Sequence, residues 1–155
     1  MSKYTEQLHQ FESWIDYVNS LTDLPPEKQL QPLGEGKWAV RDVIAHMVKW
    51  DEFFWEHAIR AIAQHQPLTY HSLDYNVFNQ EAMGICSRME WKQLLEETIQ
   101  IRRKLVKAVS DIDESQYEIT HHDADGNPFT IHAYLEDFIH HDAHHRRQMD
   151  QVLNV

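Results

Sequence analysis

The segment His140-His141-Asp142-Ala143-His144-His145-Arg146-Arg147-Gln148 packs four histidines into six residues. Histidine is the commonest metal ligand and the side chain that titrates nearest neutral pH. The whole chain holds twelve, five of them between His132 and His145. Residues four apart stand one above the other on a helix, so His140/His144 and His141/His145 are both spaced to chelate one ion. Helical periodicity separates the two pairs. With about 100° per residue and His145 at zero, Tyr134, Phe138, Met149 and Val152 fall at about −20°, 20°, 40° and −20°. His141 falls at about −40°, whereas His144 and His140 fall at about −100° and −140°. His141 and His145 therefore interrupt the apolar stripe, and the other pair lies toward the flank or solvent.

Burying an unpartnered polar group costs roughly 2–7 kcal/mol, depending on the reference state. Carboxylates or backbone carbonyls can satisfy a lone core histidine. An i,i+4 pair on the inner face of a helix is better explained by a metal ion, as in metal sites built into bundle cores. A structural zinc takes four protein ligands, and a catalytic one typically three plus water. A third ligand must then come from another helix, and His46 and His57 are the candidates there. Helical spacing alone does not separate them. His9, His65, His71, His121, His122 and His132 read as ordinary surface histidines.

Four long amphipathic segments must position these residues. The first runs from about Lys3 to Leu21, with Tyr4, Leu8, Phe11, Trp14, Ile15, Val18 and Leu21 forming one stripe, and Leu24-Pro25-Pro26 stops it. The second runs from about Ala39 to Gln64, with Val40, Val43, Ile44, Met47, Trp50, Phe54, Ala58, Ala61 and Ile62 inward, and Pro67 lies beyond its end. Between Thr69 and Ser87, Tyr75, Phe78, Asn79, Ala82 and Met83 suit a short extra helix that could roof a site at the bundle end. Ser87-Arg88-Met89-Glu90 has capping-box spacing and predicts the start of a third long helix, reaching Ser110. The turn signal Asp123-Ala-Asp-Gly-Asn-Pro128 predicts a small hairpin between Tyr117–Thr120 and Phe129–Thr130. The last helix runs from about Thr130 to Leu153. The reading is an all-α four-helix bundle forming a single domain over residues 1–155.

Composition narrows the function. The 155 residues are 42% hydrophobic and 25% charged, a globular composition. The net charge of −11 argues against nucleic acid and against a membrane surface as partners. Nothing resembles a transmembrane span or a secretory leader. The single cysteine, Cys86, excludes an internal disulfide, suits a reducing cytoplasm and reads as a buried, inert thiol. HExxH, GxGxxG and Walker motifs are absent, which removes zincin proteases and the common nucleotide-binding folds.

Trp38-Ala39-Val40-Arg41-Asp42-Val43-Ile44-Ala45-His46-Met47, followed by Trp50, resembles the second-helix signature of the DinB/YfiT-like superfamily. His141-Asp142-Ala143-His144-His145-Arg146-Arg147-Gln148 resembles that family's last-helix signature. Order and separation match as well, so the resemblance spans essentially the whole chain. It implies up-down-down-up connectivity. It also implies a ligand set of His46, His141 and His145, usually holding nickel or zinc, with positions left open for water or substrate. Two positions depart from the pattern: Ala39 replaces a capping Ser or Thr, and Arg147 replaces a frequent Gly.

Trp50 and Gln148 are the candidate substrate- or cofactor-contacting residues beside this set. Asp142 is expected to pair with Arg146 four residues on, with orientation of an imidazole as the alternative. Asp51 and Glu52 read as a solvated face. The adjacent His141-Asp142 also matches the pair used by metal-dependent phosphohydrolases, which explains fewer residues. The resemblance implies metal-dependent hydrolysis or transfer of a low-molecular-weight thiol, with Arg146 or Arg147 as a clamp for the thiol's carboxylates. A non-catalytic stress-response or small-molecule-binding bundle is the competing reading, as is a protective protein similar to the ClbS/DfsB group. A homodimer suits the fold, and nothing in the sequence marks its interface.

Overall fold

The computed structural model describes residues 2–153. Helix α1 spans Lys3–Asn19, and its start is capped by the Ser2 hydroxyl, which accepts the Thr5 N–H. Pro25 and Pro26 stop the chain from continuing it and open a single turn, α2 (Pro26–Gln29). Helix α3 (Val40–Phe54) passes through a π-helical turn, Trp55–Ile59, into α4 (Arg60–Ala63). Helix α5 (Tyr75–Cys86) is the expected extra helix, capped by Asp74, whose carboxylate accepts the Asn76 and Val77 N–H groups. Helix α6 spans Trp91–Asp111. A 3₁₀ turn, Glu114–Gln116, leads to β1 (His121–His122), which pairs antiparallel with β2 (Pro128–Phe129). Helix α7 spans Ile131–Leu153.

Side-chain pairings give the helix directions. Gln7 donates to the His132 carbonyl and Tyr17 to Asp150, so α1 and α7 run parallel. Trp91 donates to the Leu21 carbonyl and Ser2 to Glu114, so α6 is antiparallel to α1. Arg41 reaches the Met89 carbonyl and Arg102 reaches Asp51, so α3 and α6 run parallel. Phe54 meets Tyr134 while His46 meets His145, so α3 opposes α7. The connectivity is up-down-down-up. Phe11, Trp14 and Val18, Val43, Ile44 and Met47, Leu94 and Leu105, and Leu135 and Met149 fill one continuous core.

Several boundaries differ from the sequence expectation, each for a local reason. Ala39 supplies no cap, but the Asp42 carboxylate accepts the Ala39 N–H at 3.0 Å. The proposed capping box at Ser87 does not form. Ser87 terminates α5 by donating to the Gly84 carbonyl, and Arg41 ties the Cys86 and Met89 carbonyls across the junction. The hairpin forms with a different first strand. Tyr117 is buried with its hydroxyl on the Val109 carbonyl, so it closes the turn after α6 and pairing begins at His121.

The largest correction concerns Asp51 and Asp142. Neither is solvated, and Asp142 does not pair with Arg146. Both bind Arg102, which is 0% exposed. Arg102 Nε donates to Asp51 at 2.9 Å, and Nη1 donates to Asp142 at 2.7 Å and to the Phe11 carbonyl at 2.9 Å. Nη2 donates to both carboxylates at 3.3 Å. These bonds use all five guanidinium N–H groups, and the cation also lies 4.1 Å over the Phe11 ring. Burial pushes the Asp142 carboxyl up to about 6 against the pull of Arg102, and raises Asp51 too. Burial opposes the Arg102 charge as well, but the two carboxylates outweigh it and hold the guanidinium protonated.

Removing one member of a buried ion group leaves uncompensated charge, at a cost of about 3–5 kcal/mol, whereas replacing the whole group by apolar side chains is often neutral. Urea denaturation of Arg102→Met is expected to show that loss. The triple variant Asp51→Leu/Arg102→Met/Asp142→Leu is expected to recover most of it; a triple variant as unstable as the single one would contradict this account.

Candidate metal centre

The apolar stripes that build the bundle also carry three imidazoles inward. His46 sits on α3 and is 3% exposed, and His141 and His145 sit one turn apart on α7. One ring nitrogen from each lies within 4.8 Å of the others, the sole such three-residue group among the described residues. His141 Nε2 and His145 Nε2 are 3.1 Å apart. His57, the other sequence candidate, is exposed and packs against Phe53 away from this group. His140 and His144 are exposed, as the periodicity expects.

Two of the rings are held in one tautomer. His46 Nδ1–H donates to the Val43 carbonyl at 2.6 Å, and His145 Nδ1–H donates to Gln148 Oε1 at 3.0 Å. Each therefore turns an Nε2 lone pair toward the centre. His141 Nδ1 is buried without a partner. Two lone pairs 3.1 Å apart repel unless a proton or a cation lies between them. Ligands on an ion at about 2.0–2.1 Å stand about 2.9–3.4 Å apart, so the His141/His145 spacing fits one. All three rings are neutral at pH 7. Burial, with the neighbouring imidazoles, pushes His46 down to about 3 and His141 down to about 4. Burial lowers His145 as well. Neutral imidazole is the form that binds metal.

A cavity of about 380 Å³ opens on His46 and His141. Trp50 and Phe54 of α3, Tyr75 and Asn79 of α5, and Asp137 and Phe138 of α7 complete its lining. Helix α5 thus covers the site as its position suggested. Trp50 donates its indole N–H to Asn79 at 2.8 Å and stacks on Phe78 at 3.9 Å. Gln148 lies beside the centre, but its amide oxygen is taken by His145, so it orients that ring. Asp142 is fully occupied by Arg102, which removes the adjacent His-Asp ligand pair. Arg146 stacks over Tyr17 at 4.7 Å and Arg147 is exposed, and neither lines the cavity. Asp137 went unnoticed in the sequence, although it stands four residues before His141 and so shares its face. Cys86 is buried, and burial raises its thiol above the ordinary range, as an inert thiol requires.

The family model described as the DinB superfamily matches residues 10–149. YfiT from Bacillus subtilis, described as a probable metal-dependent hydrolase with an unusual four-helix bundle topology, superimposes with a TM-score of 0.78. The similarity covers 98% of this chain and 87% of that one at 13% identity. No curated protein matches the chain.

The lowered histidines make stability depend on pH. In the unfolded chain a histidine takes up its proton near pH 6.5, whereas in the metal-free fold His46 and His141 stay neutral to about 3 and 4. The unfolded state binds more protons in that window, so stability present above pH 6.5 is lost as the pH falls. Urea denaturation of chelator-treated protein is expected to show a steeper loss from pH 7 to 5 than His46→Leu or His141→Leu. The difference is about 2 kcal/mol per replaced histidine at pH 5. Equal slopes in wild type and variants would remove the basis for neutral, buried rings.

Proposed function

The chain belongs to the DinB superfamily, and from that premise we propose that it is a metal-dependent hydrolase whose His46, His141 and His145 hold one divalent ion, nickel or zinc. The observation that carries this reading is the convergence of three neutral ring nitrogens, two of them fixed in tautomer by Val43 and Gln148. A divalent ion on three uncharged ligands keeps its double charge and would supply Lewis acidity toward a carbonyl or ester oxygen and a lowered pKa for water.

The protein's own residues do the rest. The Val43 carbonyl and Gln148 aim two imidazoles, and such partners typically change metal affinity 10- to 100-fold. The core behind the rings excludes water on one side, while the cavity admits substrate on the His46/His141 side. Trp50, fixed by Asn79 and Phe78, offers a rigid wall against which a small substrate is oriented. Hydrolysis is preferred to thiol transfer because no lysine or arginine among the described residues lines the cavity to clamp a thiol's carboxylates. The substrate is a small molecule. No helix among the described residues is long and apolar enough to cross a membrane.

Plasma mass spectrometry of untagged protein is expected to find close to one nickel or zinc ion per chain, and none in His141→Ala/His145→Ala. Gln148→Ala should weaken the measured metal affinity by about 10- to 100-fold. Hydrolysis of uncharged aryl esters should disappear on chelation and return with the ion. A chain that stays metal-free after reconstitution at neutral pH would overturn the proposal.

A further inference from the structure

The cavity in front of the histidines is lined by aromatic rings and one carboxylate. Four rings from three helices wall it: Trp50, Phe54, Tyr75 and Phe138. The one carboxylate in its lining among the described residues is Asp137, which is exposed and forms no ion pair there. Aromatic faces carry negative potential and attract cations. A carboxylate at the rim adds to that attraction, and the net charge of −11 steers cations toward the protein.

We propose that this cavity takes a small organic cation. An amine or ammonium group is held at the mouth by Asp137 and the ring faces, and a flat apolar body extends inward along Trp50 and Phe138. The proposal names the substrate class of the hydrolase site and rests on that reading for the reacting end alone. Along α7 the exposed Asp137 stands one turn before half-buried His141, with about 6 Å of helix rise between them. The ammonium group and the divalent ion would therefore sit at opposite ends of the ligand, and loading zinc is expected to weaken amine binding relative to the metal-free protein. The volume of about 380 Å³ suits a small molecule.

Benzylamine, benzyl alcohol and benzoate share a flat body and differ in charge at pH 7.5. Each is titrated into metal-free and zinc-loaded protein, following the Trp50 indole N–H resonance assigned with Trp50→Phe. Benzylamine is expected to bind about tenfold tighter than benzyl alcohol in the metal-free protein, with benzoate weakest. Asp137→Asn should reduce benzylamine affinity about three- to fivefold and leave benzyl alcohol unchanged, while Asp137→Glu restores the preference. Asp137 is exposed, so these variants leave the core intact. In metal-free protein, benzylamine no tighter than benzyl alcohol, benzoate binding best, or indifference to Asp137→Asn would each overturn the proposal. Metal content is read separately. Metal-free protein that ranks the ligands as expected keeps the cation site even if no ion ever binds, and metal-free protein that prefers benzoate loses it whatever the metal content; in zinc-loaded protein benzoate can ligate the ion, so the ranking is read without metal.

Discussion

A guanidinium removed from water must find an acceptor for each of its N–H groups, and Arg102 finds them on three helices other than its own. Asp51 comes from α3, Asp142 from α7 and the Phe11 carbonyl from α1. A one-turn slip of any of these helices would strand a buried charge, a penalty of several kcal/mol. The clamp's contribution is therefore register more than net stability. Register is also what brings the three imidazoles together: His46 lies five residues before Asp51, and His141 and His145 lie one before and three after Asp142. Fixing Asp51 opposite Asp142 places the three imidazoles at one level of the bundle.

Much of this was legible in the sequence. The four long helices follow from periodicity, because long amphipathic segments carry many residues that agree with one another. The inward pair His141/His145 follows from the same arithmetic, and the third ligand position came from the resemblance of the His46 segment. The clamp was equally legible and was missed. Trp91, Leu95, Thr98, Arg102, Leu105 and Val109 are spaced by four and three in turn, as are Val40, Ile44, Met47, Asp51, Phe54 and Ala58. Arg102 stands between buried Thr98 and Leu105, and Asp51 between buried Met47 and half-buried Phe54. A charged residue centred on an apolar stripe demands a partner of opposite sign on a facing stripe. Assigning Asp51 to a solvated face by residue type alone ignored its place in the pattern.

The features that escaped sequence reading are set by tertiary context. Ser87 has the spacing of a helix-opening box, yet the same hydroxyl serves equally well to end the preceding helix. Arg41, more than forty residues away, decides between these by binding the Cys86 and Met89 carbonyls. The first hairpin strand slid past Tyr117 because that ring was claimed by the core and its hydroxyl by Val109. The π-helical turn at Trp55–Ile59 changes the phase of α3 relative to α4, and no local residue preference marks it.

The three imidazoles are not equivalent, and the difference bears on how the centre works. His46 and His145 are each locked by a hydrogen bond to Nδ1, whereas His141 Nδ1 has none and its ring is restrained by packing against Phe138 and its two neighbours. His141 is also a wall of the cavity, and His145 is not. The rigid pair would define where an ion could sit. The unlocked ring, which also lines the cavity, is the one able to adjust if the ring nitrogens were to draw in from a spread of up to 4.8 Å. A donor set with two fixed members and one compliant member would bind without demanding that the fold already hold every nitrogen at ligand distance. Without an ion, His141 Nε2–H can donate to the His145 Nε2 lone pair and Nδ1 is a bare acceptor; an ion on Nε2 would move that proton to Nδ1, where no acceptor meets it, a cost that binding would have to offset. It is the consequence of placing an imidazole between an apolar core and an aromatic cavity that offers it no acceptor.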